Sequence, residues 1–440
     1  MDWCEKFKTE GGFSKAANLG YFLRCIRQVQ EQNDDPDRKK PNQFNTGPGW
    51  IIVAIVFFTI MNFLMSKDCP QSGPGKSPLR AIWVWWSDNK DDTMWPILPS
   101  DKATFWTKNV LDDPLPYLAF AKQEGIIRTW LAIRTSKFLS TDIKIVSGDK
   151  NSGLFTKKLQ AFCYLASLQC MEVELLFGND ENLKPEEYTD RATICLNIID
   201  ELKKNFPNSP GIVGIQADIE YHNRRYKEGH PDAGMKIWEA LSDSESAKKK
   251  FKDYVQANKD ALALRDDLID TVTDLVEMCG KKSVPVAMVA WWNYAQSEKW
   301  PGHMVDGIVL SRKLMDLGID IALMAYRGAF GPVTAFGSAL YWSSQWLSQA
   351  KAAVTSNPKL KTKVWLGLET KCSFPDVSYC GTAEQQKNGD LTKASQLNPD
   401  LITLDALGKS TAPSQYAGVA VHDGAEYPVL VMKLAKKVSP

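Results

Sequence analysis

Residues 214–221 read Gly-Ile-Gln-Ala-Asp-Ile-Glu-Tyr, and two carboxylates at this spacing can do acid–base chemistry. They end a short apolar run, Gly211–Ile215. Side chains alternate along an extended strand, so Gln216, Asp218 and Glu220 share one face while Ala217 and Ile219 share the other. Burial raises a carboxyl pKa, and two neighbouring carboxylates repel when both are ionised. One of the pair can then hold a proton at neutral pH and act as a general acid.

Such a pair needs a scaffold that delivers it to an open site. Apolar strand candidates alternate with helix-length segments from residue 79 onward: Ala81–Ser87, Gly125–Arg134, Met171–Phe177, Gly211–Glu220, Val284–Trp292, Ile319–Tyr326, Lys363–Glu369 and Tyr416–His422. Helical stretches between them include Lys184–Asn205, Ser246–Cys279 and Ser338–Thr355. Near-continuous apolar strands separated by helices indicate a parallel sheet covered on both faces. Eight such units predict an α/β fold, a (β/α)8 TIM barrel, over residues 79–440. A doubly wound sheet is the runner-up, but the first strand lacks G-x-G-x-x-G and no Walker motif occurs.

Barrel chemistry gathers at the C-terminal ends of the strands. Here the predicted ends carry Trp83, Trp85, Trp86 and Asp88 on the first, Asn179 and Asp180 on the third, and Trp292 and Asn293 on the fifth. Tyr326 and Arg327 close the sixth, Glu369 the seventh, and His422 and Asp423 the eighth. Any one of these could be an ordinary core or salt-bridge residue. As a set, carboxylates, Trp, Tyr and His make a polar mouth walled by aromatics, which suits a pyranose ring. Trp83, Trp85 and Trp292 are the expected stacking walls, with Gln216, Tyr326, Asn293, His422 and Asp423 as further substrate contacts.

These residues resemble two groups of glycoside hydrolases. The strand-four stretch is similar to the D-G-x-D-x-D-x-E-aromatic motif of family 18 chitinases and endo-β-N-acetylglucosaminidases, through Gly214, Asp218, Glu220 and Tyr221. Met324 and Tyr326 resemble that family's strand-six M-x-Y, and His422 stands where its last strand carries Trp. Val213 and Gln216 occupy the family's first two Asp positions. The resemblance implies that Glu220 protonates the glycosidic oxygen while Asp218 and Tyr326 hold a substrate acetamido group as nucleophile. The second group is the large clan of retaining barrels with Glu at the ends of strands four and seven, matched by Glu220 and Glu369, although Ile219 replaces that clan's Asn. There Glu369 would attack the anomeric carbon, which needs carboxyls roughly 5–5.5 Å apart.

The remaining sequence bears on location and on what to exclude. Trp50–Met65 is strongly apolar and, with its flanks, predicts a transmembrane helix over residues 50–66. The polar stretch 1–49 before it argues against a cleaved signal peptide and predicts a disordered tail. Residues 67–78, rich in Gly, Pro and Ser, predict a linker. The expected topology is a single-pass signal-anchor with the barrel lumenal or extracellular, although basic residues nearly balance across the span (Arg38, Lys39, Lys40; Lys67, Lys76, Arg80). A net charge of +1 gives no electrostatic signal for nucleic acid. Among the nine Cys no C-x-x-C occurs, and the four His form no H-x-H or H-E-x-x-H pair, so no metal or cofactor is implied. Cys372 and Cys380 bracket a short loop and could bridge in an oxidising compartment. The expected function is hydrolysis of a glycan substrate; the rivals are a glycan-binding barrel without turnover and a barrel enzyme of other chemistry, such as a metal-dependent hydrolase.

Overall fold

The computed structural model describes residues 78–84, 110–111, 113–133, 140–149, 151–178, 185–219, 254–295, 304–305, 307–325, 333–334, 338–370, 378–422, 424, 427–428, 430–431 and 434. The expected tail (1–49), span Trp50–Met65 and most of the linker lie outside them. Among the described residues, no helix is long and apolar enough to cross a membrane.

The strands are β1 (Arg80–Val84), β2 (Ile126–Ala132), β3 (Glu172–Gly178), β4 (Gly214–Asp218), β5 (Val286–Trp291), β6 (Met304–Val305), β7 (Ile308–Val309), β8 (Asp320–Met324), β9 (Val364–Glu369) and β10 (Tyr416–His422). The helices, numbered in chain order, are α1 (Pro114–Gln123), α2 (Ser140–Ile143), α3 (Leu154–Ser167), α4 (Pro185–Asn205), α5 (Tyr254–Lys281), α6 (Leu310–Asp316), α7 (Ala339–Ser356), α8 (Ala383–Lys387) and α9 (Thr392–Thr411). Among the described residues eight parallel strands close into a barrel in the order β1-β10-β9-β8-β5-β4-β3-β2, and β6 and β7 form a separate antiparallel hairpin. The expected (β/α)8 barrel is therefore the observed architecture.

Alternation divides the core in two. Ile215 and Ala217 of β4, Val286, Met288 and Ala290 of β5, Leu366 and Leu368 of β9, and Val419 and Val421 of β10 pack outward against the helices. Burying a side chain of this size stabilises the fold by roughly 1.5–3 kcal/mol. The helices answer with matching stripes. Trp342, Trp346, Ala350 and Ala353 of α7 are buried, and Ser338 caps this helix by accepting from the Tyr341 amide at 3.0 Å. In α4, acidic Glu186 and Glu187 open the helix and Lys203 and Lys204 close it, which complements its dipole.

The barrel interior holds a smaller cluster: Ala81, Trp83, Trp130, Ala132, Leu176, Val289, Ala322, Trp365 and Ala420. Three indoles fit inside because their neighbours are small. Trp83 and Trp130 pack with ring centroids 4.6 Å apart, and Trp130 meets Trp365 edge-on at 5.7 Å. Gly367 belongs to this arrangement. A Cβ there would lie 2.6 Å from the Leu323 carbonyl oxygen and 3.0 Å from the Trp83 ring. We expect Gly367→Ala to cost about 1–3 kcal/mol, as overpacked cores do. Chemical denaturation measures it; an unchanged unfolding midpoint would contradict this packing.

Candidate active site

Gln216 and Asp218 face the barrel interior, opposite to the outward Ile215, Ala217 and Ile219. Gln216 is fully buried, and its Oε1 accepts a hydrogen bond from Trp83 Nε1 at 2.8 Å. Asp218 is 3% exposed at the end of β4. Its backbone carbonyl accepts from the Tyr188 hydroxyl of α4 at 3.3 Å. Beside it in register stands Gly178 of β3, at φ +113°, where a Cβ would come within 2.2 Å of the Asp218 oxygen. The close approach and the left-handed φ both require glycine there.

Glu369 and His422 end neighbouring strands and stand in register. Glu369 is fully buried, and His422 Nδ1 lies 2.8 Å from each of its carboxylate oxygens. The His422 carbonyl accepts from Thr370 Oγ1 at 2.6 Å and also from the Thr370 amide. The Trp83 ring meets the imidazole edge-on at 5.9 Å. Beyond residue 377 the chain returns past this pair: Ser378 bridges to Glu369, and the Tyr379 amide donates to the Glu369 carbonyl at 3.1 Å. Cys380 is disulfide-bonded, as is Cys170, while Cys163, Cys195 and Cys279 are buried free thiols. Cys372 lies outside the described residues.

Two of the three expected aromatic walls, Trp83 and Trp292, are packed in the core. Trp83 is 1% exposed and lies in the interior Trp cluster, where it supports His422 from the side instead of meeting solvent. Trp292 opens a 3-10 turn, Trp292–Ala295, and packs on Trp342 of α7 with centroids 4.5 Å apart, in the outer core. It packs in the same outer core as Val286, Met288 and Ala290 of β5. Asn293 sits in the same turn. Glu220, Tyr326, Trp85 and Asp423 lie outside the described residues. Among the described residues, no group of three or more His, Cys, Asp or Glu side chains could hold a metal ion.

The chain is similar to a chitinase from Bacteroides thetaiotaomicron, with 11% identity and a TM-score of 0.37 over 81% of this chain and 96% of that one. It is similar to a family 18 chitinase from Cycas revoluta, with 8% identity and a TM-score of 0.36 over 70% and 91% of the two chains. A third similar structure is the spore cortex-lytic enzyme SleL from Bacillus megaterium, with 12% identity and a TM-score of 0.35 over 89% and 84%. No protein-family model and no curated protein matches the chain.

Sequence reasoning missed a second polar layer, near the N-terminal ends of the strands. Arg128 of β2 donates to Glu174 Oε1 at 2.7 Å and to Glu172 through Nε at 3.1 Å, and its guanidinium lies over Trp365 at 5.4 Å. Trp130 Nε1 donates to Glu174 Oε2 at 2.7 Å. Burial pushes the Glu174 carboxyl up to about 7 against the opposing pull of Arg128 and the Trp130 bond. Asp320, at the start of β8, is pushed up to about 6 by burial, with the Lys363 amide bond opposing. The signal was present as two period-two pairs on neighbouring strands: Arg128 with Trp130, and Glu172 with Glu174. Residues two apart share one face of a strand, and a charge buried there must find a partner.

Proposed function

We propose that this chain is a membrane-anchored glycoside hydrolase that cleaves an oligo- or polysaccharide with Glu220 as the proton donor. The observation that carries the proposal is the interior placement of Gln216 and Asp218 at the end of β4, in the same barrel and at the same end as Glu369 and His422. Alternation in the sequence assigns Glu220 to the side of Asp218. The strand-four and strand-six residues that resemble family 18 add Tyr326 to the expected site. Asp218 and Glu369 are the two candidates for the second catalytic group. If a substrate acetamido group is the nucleophile, Asp218→Asn is severe and substrates without an N-acetyl group are inert.

One observation favours the rival reading, a glycan-binding barrel without turnover. Gln216 stands at an Asp position of the family motif and is bonded to a core Trp. A panel of oligosaccharides incubated with the full chain separates the two. The hydrolase reading expects shorter products from at least one member. Saturable binding with every oligosaccharide recovered intact would select the binding barrel.

The anchor is residues 50–66, and the barrel is lumenal or extracellular in this reading. The two disulfide-bonded cysteines, Cys170 and Cys380, support an oxidising compartment. Deleting residues 1–66 should move the protein from the membrane pellet to the supernatant. A deletion that still pellets with membranes would refute the anchor.

A further inference from the structure

We infer that the barrel carries two separate disulfides, Cys372–Cys380 at its mouth and Cys69–Cys170 at its base, and that the second turns the base toward the membrane. The proposal rests on the anchored reading above and deepens it. Cys170 and Cys380 are both disulfide-bonded. They cannot be bonded to each other. Cys170 lies two residues before β3, at the N-terminal end of that strand. Cys380 lies beyond the C-terminal end of β9, where the Tyr379 amide donates to the Glu369 carbonyl and the Cys380 amide donates to Ser378 Oγ at 3.1 Å. In the closed strand order β3 and β9 stand four places apart in either direction, on opposite walls. The two cysteines are thus at opposite ends of opposite walls, and a strand of seven residues alone spans roughly 20 Å. A disulfide needs Cα atoms within about 7 Å.

Their partners follow from the cysteines that remain. Of the nine Cys, Cys163, Cys195 and Cys279 are free thiols, which leaves Cys4, Cys25, Cys69 and Cys372, all outside the described residues. Cys372 is three residues past Glu369 in the sequence, and Ser378 bridges back to Glu369. The chain at Cys380 thus returns to the strand end that Cys372 follows. In the anchored reading Cys4 and Cys25 lie across the membrane from the barrel, so Cys69 falls to Cys170. Cys69 follows the expected span by three residues and precedes β1 by eleven. β1 enters the barrel at the same end as Cys170. Arg80 pairs with Ile126 and Arg128 with Glu172, so two strand spacings, roughly 10 Å, separate β1 from β3 there. Each bridge forms by loss of two thiol protons and two electrons to the disulfide of a thiol–disulfide oxidoreductase, which becomes a dithiol.

The test maps the cysteines by mass spectrometry in the full-length protein, purified in detergent from the membranes of a secretory host. Thiols are alkylated in denaturant and the chain is digested with trypsin without reductant. Trypsin leaves Cys372 and Cys380 on one peptide, residues 372–387. That peptide should be two hydrogens lighter than its reduced form, and the Cys69 peptide should be joined to the one carrying Cys170. Cys163, Cys195 and Cys279 should be alkylated. A Cys170–Cys380 link, an alkylated Cys170, or Cys170 joined to Cys4 or Cys25 would overturn the proposal. A second arm places the protein in lipid nanodiscs whose headgroups carry a photoreactive group. Label should fall on base segments such as the exposed turn 280–283, which leads from α5 toward β5. Cys69→Ser should abolish that preference for the base. Label concentrated on residues 372–387 in the wild type would overturn the orientation. The anchored reading fails separately, if the protein without residues 1–66 still pellets with membranes.

Discussion

Glu220→Gln should lower turnover by about 10²–10⁴-fold, the usual contribution of a general acid. Glutamine keeps the size and the hydrogen-bonding reach of glutamate but has no proton to give to a leaving oxygen. The loss therefore falls in the transition state, and the dissociation constant for the intact glycan should change far less than turnover. If Glu220 also activates water in a second step, the fall lies at the upper end of the range. Steady-state kinetics on a cleaved oligosaccharide, paired with a binding titration, gives both quantities. A large loss of binding with unchanged turnover of the bound fraction would give Glu220 a holding role instead.

Arg128→Met should destabilise the barrel strongly, costing about 3–5 kcal/mol above neutral pH, the range for removing one partner of a buried ion pair. Methionine fills much of the volume, but the 4%-exposed Glu174 loses its cation and keeps the Trp130 N–H bond. The effect should depend on pH in a definite direction. Burial holds the folded-state pKa of Glu174 near 7, above the ordinary value of 4.5. A raised carboxyl contributes stability below its unfolded pKa and loses it as pH rises through the folded one. Asp320, pushed up to about 6, runs in the same direction. Removing Arg128 takes away the charge that opposes this shift, so Glu174 holds its proton to higher pH in the variant. The difference between variant and wild type should thus be small at pH 5 and large at pH 8.5. Urea unfolding at the two pH values measures it, and an equal difference at both would contradict the buried-pair account.

Barrel closure was legible in the sequence because each strand carries its own apolar run. Tyr416–His422 was bounded as observed, and Lys363–Glu369 differs from β9 by one residue. The β4 expectation, Gly211–Glu220, was longer than the observed Gly214–Asp218, because an apolar run does not mark where strand pairing begins. Parity was equally legible. It gave the interior side of Gln216 and Asp218, but it does not reach Trp292, which lies past the end of β5 in a 3-10 turn. Depth was not legible. Trp83 faces inward as alternation requires, but sits in a layer with Trp130 below the mouth. Partners far apart in sequence were beyond reach as well. Glu369 was found at a strand end, yet its bond to His422 joins residues 53 apart and follows from closure of β9 against β10. The Arg128–Glu174 pair, 46 apart, is hidden in the same way.

The most direct test follows one oligosaccharide by mass spectrometry with the wild-type chain and Glu220→Gln side by side, both full length and equally folded. The account predicts shorter sugars from the wild type and nearly intact sugar from the variant over the same hours, with both proteins still binding it. Equal cleavage by the two proteins would contradict it.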